Sequence, residues 1–154
     1  KADFTAGHSF GELTALWAAG VLSEQDYMML ARSRGQAMAK PSADDNDNKS
    51  NSFDAGTMVA VVGEPEKVVT VIKDIKDISI ANYNSNNQVV VAGVTSQIVI
   101  ATQVLTAEGF KVVPLPVSAA FHTPLVAHAQ KPFAQAIDRA AQERKSRRWR
   151  HGLF

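Results

Sequence analysis

Residues 57–115 read TMVAVVGEPEKVVTVIKDIKDISIANYNSNNQVVVAGVTSQIVIATQVLTAEGFKVVPL. Met58 to Val62 is an unbroken apolar run that stops at Gly63, the mark of a short buried strand. Glu64-Pro65 then places a proline at the start of a helix, where its missing N–H costs least. Ile78 to Tyr83 reads as a second strand, Asn84 to Asn87 as a turn, and Gln88 to Ala92 as a third strand. Thr95 or Ser96 caps a helix running to about Glu108, Gly109 ends it, and Phe110 to Leu115 supplies a fourth strand. The order β-α-β-β-α-β is that of a split, ferredoxin-like unit.

Upstream, a helical apolar pattern extends from about Ser9 to Leu22 and breaks at Gly20. Ser23 with Asp26 three residues later resembles a capping box and opens a second helix to about Lys40. Residues 41–55 are rich in Asp, Asn and Ser and carry almost no large apolar side chain. Such a stretch buries too little surface to offset its chain entropy, so a mobile surface loop is expected. Downstream of His122-Thr123-Pro124, residues 125–142 are alanine-rich and helical in pattern. The resulting division sets a small subdomain, 57–115, inside a larger one made of 1–56 and 116–154.

At 154 residues, 45% hydrophobic and 20% charged, the chain can bury one respectable core. No apolar run approaches the roughly 18 residues that a spanning helix needs. Cysteine is absent, which removes disulfides, thiolate metal sites and a cysteine nucleophile. A cytoplasmic setting is expected, with no metal. The net charge of +1 is uneven: Arg139, Arg144, Lys145, Arg147, Arg148 and Arg150 against Glu143 make the tail +5 and leave the body at −4. The body therefore has no electrostatic footprint for nucleic acid, and a charge run of this kind is usually a solvated face.

The chemistry-bearing pattern is Gly7-x-Ser9-x-Gly11, the signature of a nucleophile elbow between a strand and a helix. So tight a turn requires small residues around the serine and pushes its hydroxyl outward. The serine then sits at a helix N-terminus, where the backbone N–H of Phe10 is the natural donor to a developing oxyanion. Three specified residues also describe a glycine-flanked serine that merely caps a helix. The pattern alone leaves both readings open.

Context separates them. Residues 7–39 closely resemble the malonyl-CoA:acyl-carrier-protein transacylase family, which includes the acyltransferase domains of polyketide and polyunsaturated fatty-acid synthases. The resemblance continues through Gly56-Thr57-Met58-Val59-Ala60-Val61, then Asn82-Tyr83-Asn84-Ser85 with Gln88-Val89-Val90-Val91-Ala92-Gly93, and finally Pro116-Val117-Ser118-Ala119-Ala120-Phe121-His122-Thr123-Pro124. It spans residues 3 to 138 in unbroken order. It implies an α/β fold: part of an α/β-hydrolase-like acyltransferase core with an inserted ferredoxin-like subdomain, at the place where residues 57–115 read independently as one. It also implies that Ser9 attacks a thioester carbonyl and that His122 takes its proton and returns it to the leaving thiol. The acyl group then passes to the phosphopantetheine of an acyl carrier protein, in ping-pong order. Histidine suits that role because its ordinary pKa lies near working pH. His8, beside the nucleophile, is expected to be structural, and His128 and His151 to be surface residues. Arg34 matches the family's arginine for the free carboxylate of malonyl, a pairing that a planar guanidinium makes with two parallel bonds. The alternative is a plain surface arginine like Arg32. Phe121 stands where a ring accompanies malonyl and a serine accompanies methylmalonyl. The substrate is a CoA thioester, and no cofactor is implied.

The family's turn that completes the oxyanion hole and the carbonyl that orients its histidine are not matched here, and residues 139–154 do not resemble the family's continuation. The chain is accordingly expected to be a fragment. Loss of one oxyanion donor typically costs about 10²–10³ in rate, so self-association or the remaining parts of a larger synthase would have to supply what is missing. Two other classes stay in view. A serine hydrolase of esters or thioesters would result if water replaced the carrier thiol, and a non-catalytic unit would dock a carrier protein with Ser9 idle. A nucleic-acid or membrane contact through the basic tail is the least favoured.

Overall fold

The computed structural model describes residues 2–39 and 54–150, with backbone alone for 145–150. The expected loop at 41–55 therefore lies outside the described residues apart from Asp54 and Ala55, as does His151. In chain order the elements are α1 (Gly11–Ala18), α2 (Glu24–Ala39), β1 (Thr57–Val62), α3 (Pro65–Ile72), β2 (Ile78–Ser85), β3 (Gln88–Gly93), α4 (Thr95–Ala107) and β4 (Lys111–Pro114). A 3-10 turn (Pro124–Ala129) and α5 (Gln130–Arg150) follow. Among the described residues the result is a mixed α/β arrangement with one small antiparallel sheet. It divides into two compact units, Lys1–Asp45 with His128–Phe154, and Asn46–Ala127.

In the second unit the sheet order is β2-β3-β1-β4, every neighbour antiparallel. β1 is central and pairs in full register with β3, from Thr57 opposite Gly93 to Val62 opposite Gln88. Because side chains alternate faces along a strand, Val59 and Val61 of β1 join Val89 and Val91 of β3 on one face. There they pack against Val68 and Ile72 of α3 and Ile98 and Leu105 of α4. Met58, Val90 and Ala92 point to the opposite face, which Ala120, Leu115, Val117, Phe121 and Leu125 cover. A sheet buried on both sides needs apolar residues at every position, which accounts for the uninterrupted run Val89 to Ala92.

Three helix ends follow local chemistry as read from the sequence, and a fourth does not. Pro65 occupies the first turn of α3 as the sequence predicts. Gly20 (φ 77) and Gly109 (φ 85) close α1 and α4 with paired 6→1 and 5→2 bonds: Val21 to Leu16 and Gly20 to Trp17, then Phe110 to Leu105 and Gly109 to Thr106. The exception is the start of α4. Neither Thr95 nor Ser96 is its N-cap; that position is Val94, which has no capping side chain. Asp54 does the capping instead. Its carboxylate accepts the Thr95 N–H at 2.8 Å and the Thr95 hydroxyl at 2.6 Å, and it also accepts the Gly56 N–H at 2.9 Å. These bonds hold its carboxyl below the ordinary carboxylate range.

The first unit contains α1, α2 and α5, joined by Leu30, Ala136 and Ala140 with Leu13, Leu22, Met29 and Phe133 around them. Ser23 accepts the Asp26 N–H at 3.1 Å and donates its hydroxyl to the Asp26 carboxylate at 2.7 Å, so Ser23 caps α2 as expected, with the Asp26 side chain returning to the Ser23 hydroxyl. Three expectations change. The strand that the elbow signature places ahead of the serine turn is not formed: residues 2–8 have no regular structure. The first helix begins at Gly11 and not at Ser9, whose φ of 56 cannot continue a helix. The last helix reaches Arg150, well past 142, since Arg, Lys, Gln and Glu are good helix formers. Arg144 ties it back by donating to the Val21 carbonyl at 2.7 Å.

Candidate active site

The Gly7–Gly11 turn packs backbone against backbone. A Cβ on Gly7 would collide with the Gly11 carbonyl and come within 2.5 Å of the Glu12 nitrogen, so no side chain fits there. A Cβ on Gly11 would meet open space, so the expectation that both flanking positions must be small holds at Gly7 only. Ser9 sits at φ 56, in the left-handed region that non-glycine residues seldom occupy. The amides of Gly11, Glu12 and Leu13 are taken up by the carbonyls of His8, Ser9 and Phe10 at 2.9, 3.1 and 3.2 Å. The Phe10 N–H lies outside that ladder, one residue beyond the serine. Phe10 itself is the N-cap of α1, with no side-chain capping bond.

α1 and α2 are zipped together on one face. Trp17 stacks on Tyr27 with ring centroids 5.4 Å apart, and the Thr14 and Tyr27 hydroxyls share a 3.1 Å hydrogen bond. Further along the same pair, the Arg34 guanidinium carbon lies over the Phe10 ring, 5.7 Å from its centroid. Arg34 is half-buried while Arg32 is exposed. The two arginines, interchangeable by spacing alone, are therefore in different environments. The Phe10–Arg34 contact has no signature in the sequence, although two helices joined by a short turn must bring early residues of one beside late residues of the other.

Phe121 and His122 belong to the second unit. His122 is exposed and has φ 61. Ser9, Asp77 and His122 are the three non-glycine residues with positive φ among those described. Residues held in sparsely populated conformations cost of order 1–3 kcal/mol and tend to gather at functional sites. The turn bearing His122 is pinned on both sides. The Ala120 N–H donates to the Ala55 carbonyl at 2.8 Å, Thr123 Oγ1 donates to the Ala120 carbonyl at 2.6 Å, and the Leu125 N–H donates to Thr123 Oγ1 at 3.3 Å. Gly56, at φ 76, admits this turn: a Cβ there would lie 2.5 Å from the Gly93 carbonyl and 2.6 Å from the Ala120 Cβ. The Phe121 ring is half-buried against Met58, Val90 and Ala120.

His8 is exposed, and its carbonyl serves the turn. His128, expected at the surface, is partly buried, its Nε2 3.4 Å from the Met38 carbonyl at the end of α2. An open cleft of about 170 Å³ lies between Ile78, Ser79 and Val94 and the turn Thr123–Leu125. Among the described residues no three His, Asp or Glu side chains gather to hold a metal ion, and no helix is long and apolar enough to cross a membrane.

The acyl transferase domain family matches residues 1–151. The chain is 39% identical over 138 residues to the polyketide biosynthesis protein ThaF of Burkholderia thailandensis, covering 87% of this chain and 11% of that protein. It is 34% identical over 142 residues to the malonyl CoA-acyl carrier protein transacylase of Bacillus subtilis, covering 88% of this chain and 42% of the relative. It is 34% identical over 133 residues to the phenolphthiocerol synthesis polyketide synthase of Mycobacterium marinum, covering 86% of this chain and 6% of that protein. Among solved structures, FabD from Acinetobacter baumannii superposes with a TM-score of 0.75 at 32% identity, over 90% of this chain and 43% of that one. The chain thus spans less than half the length of these relatives. On the match over residues 1–151, with the resemblance in sequence and in fold, the chain belongs to the acyl transferase domain family.

Proposed function

We propose that the chain carries the acyl-transfer machinery of a malonyl-CoA:acyl-carrier-protein transacylase, with Ser9 as nucleophile. The observation that carries this reading is Ser9 at φ 56, at the apex of a turn where Gly7 admits no side chain and directly ahead of α1. Strain stored at one serine of a family motif has a ready use in presenting its hydroxyl to a substrate. In this reading the Ser9 oxygen attacks the thioester carbonyl as His122 accepts its proton, and the Phe10 N–H donates to the oxyanion. Collapse expels the CoA thiol, which regains the proton from His122, and leaves an ester on Ser9. The phosphopantetheine thiol of an acyl carrier protein attacks that ester in the second half-reaction, with His122 again as base. Arg34 receives the free carboxylate of the malonyl group, and Phe121 crowds the α-carbon. The chemistry needs no prosthetic group, and a cytoplasmic setting supplies the CoA thioester.

In the same proposal, residues 57–115 are the ferredoxin-like subdomain inserted into an α/β-hydrolase-like core, 1–56 with 116–154. The strand order β2-β3-β1-β4, all antiparallel, supports that assignment. The experiment is intact-mass analysis after incubation with malonyl-CoA. An adduct of about 86 Da, the mass of a malonyl group on a serine ester, is expected on the natural chain and none on Ser9→Ala. An adduct that survives in Ser9→Ala sinks the assignment. Turnover of the ester by water without a thiol acceptor would mark a hydrolase instead.

A further inference from the structure

Phe10 is an apolar residue 41% exposed beside the proposed nucleophile, and it takes no part in the core cluster of its unit. Its ring has another neighbour. The Arg34 guanidinium carbon sits over its face at 5.7 Å from the centroid, inside the roughly 6 Å range of a cation–π contact. The stack of Trp17 on Tyr27 and the Thr14–Tyr27 hydrogen bond join the same two helices, so both partners are held on fixed elements. From this geometry we infer that Phe10 is the positioning residue for Arg34, its ring attracting the cation without being a carboxylate that would compete for the N–H donors a substrate carboxylate needs.

The argument turns on which part of a guanidinium each partner uses. A carboxylate of the protein would consume the planar fork of N–H donors that a ligand carboxylate needs. An aromatic face attracts the cation without occupying that fork. Arg34 is thus fixed in place and still able to bind. Residue 10 would then serve both ends of one malonyl group, its backbone N–H at the thioester carbonyl and its ring, through Arg34, at the carboxylate. The inference rests on the reading of Arg34 as the carboxylate partner, but the contact itself can be tested apart from that reading.

The test modifies the full chain with phenylglyoxal and maps Arg34 by mass spectrometry, with Arg32 as internal reference and malonyl-CoA or acetyl-CoA as protectant. In the natural chain malonyl-CoA should protect Arg34 and acetyl-CoA should not. In Phe10→Leu, which keeps apolar bulk and the backbone N–H but loses the ring, the malonyl-CoA concentration for half-protection should rise about three- to tenfold. Unliganded Arg34 should also react faster relative to Arg32. Phe10→Trp, which supplies a better cation partner, should match or exceed the natural chain on both readouts. Phe10→Met stands in if the leucine variant fails to fold by circular dichroism. Leucine and tryptophan variants indistinguishable from the natural chain would overturn the inference. Absence of malonyl protection in the natural chain would instead sink the carboxylate reading of Arg34. The unliganded reactivity of Arg34 across Leu, Phe and Trp would then still decide whether the ring holds it.

Discussion

The two units treat apolar side chains in opposite ways. In the sheet unit Val61, Val68, Val89, Val91 and Leu105 are sealed completely, and both sheet faces are covered from within the unit. In the helical unit α1 buries none of its residues, and Leu16, Trp17, Val21 and Met28 are 43%, 42%, 47% and 60% exposed. Hydrophobic burial is the dominant favourable term in folding, so the sheet unit holds most of its own stability and α1 contributes little to that of its unit. Ser9, Phe10 and Arg34 lie on the less sealed side of this contrast. Local geometry there is set by turn strain, ring stacking and hydrogen bonds more than by packing.

The largest expected effect falls on chemistry and leaves packing aside. His122→Ala should slow acylation by about 10²–10⁴-fold, while His8→Ala, which removes an exposed ring, should do far less. A greater loss in the His8 variant, with both proteins folded, would reassign the base. Next comes the contrast in packing itself. Leu105→Ala should destabilise the sheet unit by about 2–5 kcal/mol, and Leu16→Ala in α1 should cost at most about 0.5 kcal/mol, both read from denaturant midpoints. Similar costs at the two sites would erase the distinction between the units. Phe121→Ser straddles it, because the same ring packs on the sheet and is assigned to substrate choice. Methylmalonyl should gain on malonyl by about tenfold or more, one methyl group being worth about 1–3 kcal/mol, with a measurable loss of sheet stability alongside. A gain in methylmalonyl transfer without any stability loss would mean that the ring's packing is incidental.

A small, pH-dependent effect is expected at Asp54. Its folded-state carboxyl titrates below the unfolded value because Thr95 and Gly56 donate to the charged form. The clasp therefore contributes stability above the ordinary carboxylate pKa, about 3.9, and loses it as pH falls through the lower folded value. Asp54→Asn should flatten that part of the acid-stability profile and cost about 0.5–1 kcal/mol near neutrality, the low end for a helix cap because Asp54 is exposed. Natural chain and variant with superimposable acid profiles would show that the clasp carries no stability.

What can be read in the sequence follows from how local each cause is. All four strands and both intervening helices of the sheet unit are legible, because a two-sided core prints apolar runs and the turn residues punctuate them. The turn at Ser9 is legible in Gly7 but not in Gly11, since one glycine is a steric necessity and the other is not. The cap of α4 escapes local reading because its acceptor comes from Asp54, 41 residues away, and no local pattern announces such a bond. The strand that the elbow signature places ahead of the serine turn is not formed, and strand pairing is not a local property that such a signature can guarantee. Of the candidate site, the residue types and their order are legible. The ring beneath Arg34 is not, because it depends on how two helices meet.

The central place of β1 in the sheet also fixes an order of events in time. β1 must find β3 about 30 residues on and β4 about 50 residues on, contacts that close large loops and form slowly. Ala120, next but one before His122, seats against Met58 and Val90 of the joined strands. The Gly7–Gly11 turn and the ring stack between α1 and α2 need only neighbours close in sequence, whereas the buried core of that unit, Leu30 with Ala136 and Ala140, waits for α5. As the chain leaves the ribosome, the serine turn can therefore form while the later strands are still unmade, and the histidine's turn waits for the finished sheet.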